Sequence, residues 1–235
     1  MTEPRLATIP WAPPRAGHYE ISEIQVDAAR TALIVVDIQR GYTERTLGIG
    51  PTLEQFPAIR DYYYARLTTE VMPNILKLID FCRQHGLEVV FSRQGYQMVD
   101  GRDVPEWNWR RGQLGQPDSR LFWAGSPEFE LVPELARPDD LVVDKSSAGP
   151  FATTALDQYL RNLGVENLLV AGVLTNVAVE TTARDAGDRG YNVIGVDDAC
   201  AAYYADEHED AMTSASWWVS KSTAFVLEHF GRALA

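Results

Sequence analysis

Cysteine is scarce in this chain: Cys82 and Cys200 are the two thiols among 235 residues. Two isolated thiols build no disulfide framework and match no zinc-ligand spacing. Basic residues are the minority, 21 Lys and Arg against 33 Asp and Glu, giving a net charge of −12. That balance repels a phosphate backbone, and the basic cluster "NWRRG" at 108–112 is too short to reverse it. No nucleic-acid partner is expected. Long apolar runs are absent too. A bilayer span needs about 18 consecutive apolar residues, and none occurs, so no membrane partner is expected. The opening "MTEPRLATIPWAPPRAG" lacks the apolar core of a signal peptide, which makes a cytoplasmic location the expectation. The four histidines, His18, His85, His208 and His229, are scattered, and there is no Gly-rich nucleotide fingerprint. Neither a metal nor another cofactor is expected.

What is present is an alternation of short apolar runs and helical periodicities. The chain is 46% hydrophobic and shows no linker, so one domain with a sizeable core is expected. Residues 1–30 are Pro-rich with little periodicity and read as an N-terminal arm; residues 31–235 read as the domain. "TALIVVD" at 31–37 suits a buried parallel strand ending in a carboxylate. Residues 62–85 carry apolar spacings of three and four and then meet Gly86, a helix with a glycine stop, kinked or broken at Pro73. "LEVVFS" (87–92), "DLVVDK" (140–145), "NLLVAGV" (167–173) and "YNVIGVDD" (191–198) read as further strands. Helices are expected over 153–164, 177–189 and 205–216, with a last strand and helix in 217–235. Between the second and third strands, residues 93–127 hold three prolines and five glycines around Trp107, Trp109 and Trp123, which reads as a long irregular loop.

The expected fold is therefore α/β: a three-layer sandwich, with a parallel sheet of about six strands and helices on both faces. In such sheets ligands bind at the carboxyl ends of the strands. Asp37 and Gln39 follow the first strand, Lys145 closes the third, and Thr175-Asn176-Val177-Ala178 follows the fourth. Each has a plain alternative. Asp37 alone fits a cap on the next turn, Lys145 a solvated strand end, and Ala178 an ordinary helix residue. Together they form one constellation at one edge.

Three segments carry a resemblance. "ALIVVDIQRGY" (32–42), "DKSSAGPFATTALDQYL" (144–160) and "GVLTNVAVETTARDAGDRGYNVIGVDDACAAY" (172–203) resemble, in order and spacing, the isochorismatase-like cysteine hydrolases. The likeness spans residues 30–230, and weaker features in "EWNWRRGQL" and "GSPEFELVPEL" are similar to the biuret and ureidoacrylate hydrolase branch. It implies a catalytic aspartate, lysine and cysteine at positions 37, 145 and 178. It also implies a cis peptide at Val173–Leu174 that helps aim the oxyanion donors around Ala178, and dimers or tetramers. In this chain the third position is alanine.

The chemistry of such a triad is general. A thiol at a helix opening is favoured as thiolate by the helix dipole and free N–H groups. A nearby ammonium favours it further, and a carboxylate can take its proton. Cys200 and Cys82, read as buried core thiols, do not replace it. The metal-binding His pair that the resemblance assigns to nicotinamidases has no counterpart in "FSRQGYQMVDGRDVPEW".

Three readings follow. The first is a C–N hydrolase for a small amide or ureide, with its cysteine exchanged for Ala178 and hence inactive. The second is a vinyl-ether hydrolase of the isochorismatase type, using Asp37 as an acid without cysteine. The third is a non-catalytic binding protein. Gln39, Tyr42, Trp107, Trp109, Arg110, Phe151 and Asn176 are the expected substrate-binding residues. The aromatic loop fits a contact between subunits of a homo-oligomer.

Overall fold

The computed structural model describes residues 3–10, 23–104, 122–133, 135–213 and 218–235. Trp107, Trp109, Arg110 and Arg111 lie outside the described residues. A two-stranded antiparallel sheet, β1 (Leu6–Pro10) and β2 (Glu23–Asp27), precedes a six-stranded sheet. The latter contains β3 (Thr31–Val36), β4 (Glu88–Gln94), β5 (Leu141–Lys145), β6 (Asn167–Val173), β7 (Asn192–Ala201) and β8 (Val219–Lys221). Its order is β5-β4-β3-β6-β7-β8, and every pairing is parallel.

The sequence dictates this arrangement locally. Every residue of β3 and β6 is buried, as expected for central parallel strands covered on both faces. Alternation along β3 then divides the core. Leu33 and Val35 join the apolar cluster on one face, while Ala32, Ile34 and Val36 join the cluster on the other. The first face is covered by helices α1 (Pro57–Arg66), α2 (Met72–Gln84) and, from the end of the chain, residues of Thr223–Leu234. The second is covered by α3 (Leu156–Asn162), α4 (Glu180–Asp188) and the end of α5 (Ala205–Thr213). The helix Thr223–Leu234, α6, starts at Ser222, whose hydroxyl accepts from Phe225 N.

Three expectations are corrected in detail. The Pro-rich arm is not merely extended. Residues 6–10 and 23–27 pair, and Ala7, Ile9 and Val26 enter the main core, with Arg5 Nη1 donating to Leu234 O at 3.0 Å. Five-residue strands give a period-2 signal too short to stand out among prolines. The helix expected at 62–85 starts at Pro57 and is not broken at Pro73. A π turn at Leu67–Val71 joins α1 to α2, so the α-helical ladder changes directly before Pro73, which has no N–H to give to the preceding turn. The helix expected at 153–164 is interrupted: Thr154 adopts an extended backbone, and its hydroxyl accepts from Leu156 N to start α3.

Candidate active site

Because the strands are parallel, β3, β5 and β6 end at the same edge of the sheet. Asp37 follows β3 directly. Its φ of +52° is left-handed, a conformation aspartate tolerates better than most residues, and it ends the strand there. Lys145 is the last residue of β5, two strands away. Two strand spacings are roughly 9–10 Å, a gap a lysine side chain can bridge and a short one cannot. Lys145 Nζ reaches Asp37 Oδ2 at 2.7 Å, with both side chains almost fully buried, at 0% and 1% exposure. The ammonium also donates to Ala148 O at 2.8 Å and Ser147 O at 3.1 Å, and lies 3.4 Å from Gln94 Oε1. The solvated strand end that Lys145 alone suggested is thereby ruled out.

Burial raises the Asp37 carboxyl above its ordinary value of 3.8, opposed by the Lys145 ammonium and the Ser92 hydroxyl. Burial lowers the Lys145 ammonium from 10.5, opposed by Asp37. Burial thus pushes each group toward its neutral form, while the partner 2.7 Å away pulls each toward its charged form. Ser92 was not anticipated. It is the one fully buried polar residue of β4, and its Oγ donates to Asp37 Oδ1 at 2.8 Å.

The turn after β6 forms the third side. Gly172 has a φ of +128°, and a β-carbon there would be driven into the Val36 carbonyl of neighbouring β3. The Val173–Leu174 peptide is cis. Residues Thr175–Val179 form a π turn that leads into α4, so the helix expected at 177–189 opens with a wider turn. Val177 N and Val179 N both donate to Leu174 O at 3.1 Å, on either side of Ala178. Ala178 is buried, in the apolar cluster that also holds Val36.

The expected substrate-binding residues divide. Asn176 is half-buried, and its Oδ1 is buried with no hydrogen-bond partner among the described residues. Tyr42 is buried and stacks on Phe122, ring centroids 4.5 Å apart. Two expectations are corrected. Gln39 is fully buried and spends its amide internally: Nε2 donates to Phe129 O at 2.8 Å and Gln94 O at 3.0 Å, and Oε1 accepts from Gln94 N at 2.9 Å. It ties β4 to the segment around Phe129 and has no exposed surface to offer a ligand. Phe151 is no pocket wall either. The chain after Lys145 doubles back over α4, with Gly149 against Thr181, and Phe151 packs beside Tyr191 and under Arg189 near the opposite end of β7.

Cys200 is fully buried on β7, and burial raises its thiol far above the ordinary range; Cys82 is pushed up to about 12. Both are poor thiolates. Among the described residues no three His, Cys, Asp or Glu side chains gather to hold a metal ion, and no helix is long and apolar enough to cross a membrane.

Comparison with known proteins agrees with this geometry. An isochorismatase domain model matches residues 31–229. The ureidoacrylate amidohydrolase RutB of Acinetobacter baylyi is 32% identical over 221 residues, covering 88% of this chain and 86% of that protein. A cysteine hydrolase from Pseudomonas syringae pv. phaseolicola superposes with a TM-score of 0.73 at 28% identity, covering 88% and 95% of the two chains. N-carbamoylsarcosine amidase from Thermoplasma acidophilum superposes with a TM-score of 0.60 at 26% identity, covering 83% and 96%. A three-layer fold, a buried carboxylate–ammonium pair at the sheet edge and a match over most of the length converge on one conclusion: the chain belongs to the isochorismatase domain family of hydrolases.

Proposed function

We propose that this fold is built for metal-independent hydrolysis of a small amide or ureide, with position 178 as the seat of the attacking thiol. With alanine there, the chain binds such a substrate and does not turn it over. The carrying observation is the fully buried Asp37–Lys145 pair at 2.7 Å, at the same sheet edge as the turn bearing Ala178. The amide and ureide chemistry named for RutB and for N-carbamoylsarcosine amidase supports the substrate class.

With cysteine at 178, Asp37 takes the thiol proton and Lys145 favours the resulting anion. The sulfur attacks the amide carbonyl carbon, and a C–S bond forms. The electron pair displaced onto oxygen is held by N–H groups of residues 174 and 178, each such donor worth roughly 3 kcal/mol in the transition state. Collapse breaks the C–N bond, and the proton on Asp37 leaves with the amine as ammonia. Water, deprotonated by Asp37, then cleaves the thioester and returns the thiol. The unpartnered Oδ1 of Asn176 supplies an acceptor for a substrate N–H. Tyr42, Trp107, Trp109 and Arg110 are the further proposed contacts, and a cytoplasmic homo-oligomer is the proposed setting.

The test is Ala178→Cys, assayed for ammonia on a panel of ureides and small primary amides, with and without chelator. Ammonia release that ignores the chelator and disappears on adding Asp37→Asn or Lys145→Ala is expected. Calorimetry on the unaltered chain should then give heat of binding with the same substrate and no ammonia. Inactivity of Ala178→Cys across the panel, or rapid turnover by the unaltered chain, refutes the proposal. The raised Asp37 carboxyl favours one second reading, acid-catalysed cleavage of a vinyl ether without cysteine. Pyruvate release from isochorismate by the unaltered chain would establish that reading in place of the first.

A further inference from the structure

Behind the turn that carries Ala178 lies a second polar cluster, distinct from Asp37 and Lys145. It begins at an irregularity in the sheet. Val170 of β6 pairs with Gly195 and Gly172 with Cys200, so residues 196–199 of β7 stand opposite Ala171 alone. The carbonyls freed there are taken by the long helix on the first face. Arg66 donates from Nη2 to Asp197 O at 3.0 Å and from Nε to Cys200 O at 2.9 Å, and Asn74 Nδ2 donates to Asp198 O at 2.9 Å. Arg66 Nη1 pairs with Glu70 at 2.8 Å.

The same Arg66 Nη2 lies 2.8 Å from Nε2 of His208, a buried residue of α5. A guanidinium has no acceptor, so the shorter contact makes Nε2 the acceptor and leaves Nδ1 to carry a ring proton. Nδ1 is 2.8 Å from the hydroxyl of Thr175, which is 1% exposed and opens the π turn holding Ala178. Asp197 Oδ1 is farther from Nε2, at 3.4 Å, and lies 3.7 Å from Arg66, close enough to share its charge without displacing it.

We propose that His208, with Nε2 accepting from Arg66 and Nδ1 donating to Thr175, is a positioning residue. It links the Arg66-filled bulge to Thr175 and thereby fixes the turn whose N–H groups at residues 174 and 178 are proposed to hold the substrate oxygen. The device spans both sides of the sheet: Arg66 comes from the first face, His208 from the second, and Thr175 from the edge between them. Its catalytic consequence rests on the amidohydrolase reading; its structural part does not.

Ring-nitrogen NMR of this chain at neutral pH should show His208 protonated at Nδ1 and bare at Nε2. An Nε2–H ring or an imidazolium overturns the proposal. Thr175→Val, close in shape but without the hydroxyl, and His208→Leu should each speed amide hydrogen exchange at residues 174–179 on the order of tenfold, while amides of β3 keep their rates. No change, or a uniform change across the sheet, overturns it.

In the Ala178→Cys background, the same two changes should lower kcat per titrated active site on the order of tenfold or more, with little change in KM. Thr175→Ser and His208→Asn should recover most of the loss, because each keeps the hydroxyl or the donor facing it. Equal losses in His208→Asn and His208→Leu would overturn the donor role. If Ala178→Cys hydrolyses nothing, the amidohydrolase reading fails, and the ring protonation and amide exchange still decide the positioning role.

Discussion

Removing Lys145 should destabilise this protein in a pH-dependent manner, and the sign follows from the buried pair. In Lys145→Met the aliphatic stem is largely replaced, but Asp37, 1% exposed, loses the ammonium at 2.7 Å. Breaking one side of a buried ion pair typically costs about 3–5 kcal/mol, because the remaining charge stays buried and unpaired. Native proteins of ordinary stability have about 5–15 kcal/mol in all, so this is a large share. Burial already raises the Asp37 carboxyl from 3.8, and Lys145 opposes that rise. Without the lysine the folded-state value climbs further. A group whose folded-state value lies above its unfolded one stabilises the fold most below the unfolded value, and that contribution is lost as pH rises through the folded one. Lys145→Met should therefore be least stable at pH 8 and regain stability toward pH 4, with a slope of up to about 1.4 kcal/mol per pH unit for the single proton. The assay is urea denaturation from pH 4 to pH 8 on the parent, Lys145→Met, Asp37→Asn and the double variant. The double variant should recover a large part of the loss, because it removes both charges. A Lys145→Met protein within about 1 kcal/mol of the parent at pH 8, or additive losses in the double variant, would refute the reasoning.

Other positions give independent checks. Gly172→Ala meets both a φ of +128° and the Val36 carbonyl, so it should destabilise by more than about 3 kcal/mol or fail to fold, read by thermal melting. Ser92→Ala removes the donor to Asp37 Oδ1 and should cost about 1–3 kcal/mol at pH 8, with a smaller loss near pH 4, where the carboxyl no longer needs the donor. Gln39→Leu strands Gln94 N, Gln94 O and Phe129 O, and should lower stability by about 1–3 kcal/mol while substrate binding by the folded fraction persists, as calorimetry would show.

The apolar runs alone determined the sheet. β6 begins and ends where "NLLVAGV" does, and β3 differs from its run by a single residue, because a central parallel strand buried on both faces must be apolar throughout. Family likeness located the cis bond at Val173–Leu174, and the alternation of strands and helices put Asp37, Lys145 and Ala178 at one edge. Short elements escaped: β1 and β2 are too brief for their alternation to register, and they gain their stability from Ala7, Ile9 and Val26 in a core the chain completes later. Only tertiary structure decided what each polar side chain does. Gln39 and Phe151 looked like ligand contacts by their distance from strand ends, yet their partners lie at Phe129 and Tyr191, far along the chain. Ser92 and His208 looked like ordinary strand and helix residues until folding set one against Asp37 and the other between Arg66 and Thr175. Apolar periodicity is local and survives in one dimension; a hydrogen bond between residues 55 or 142 positions apart exists only once the sheet has brought them together.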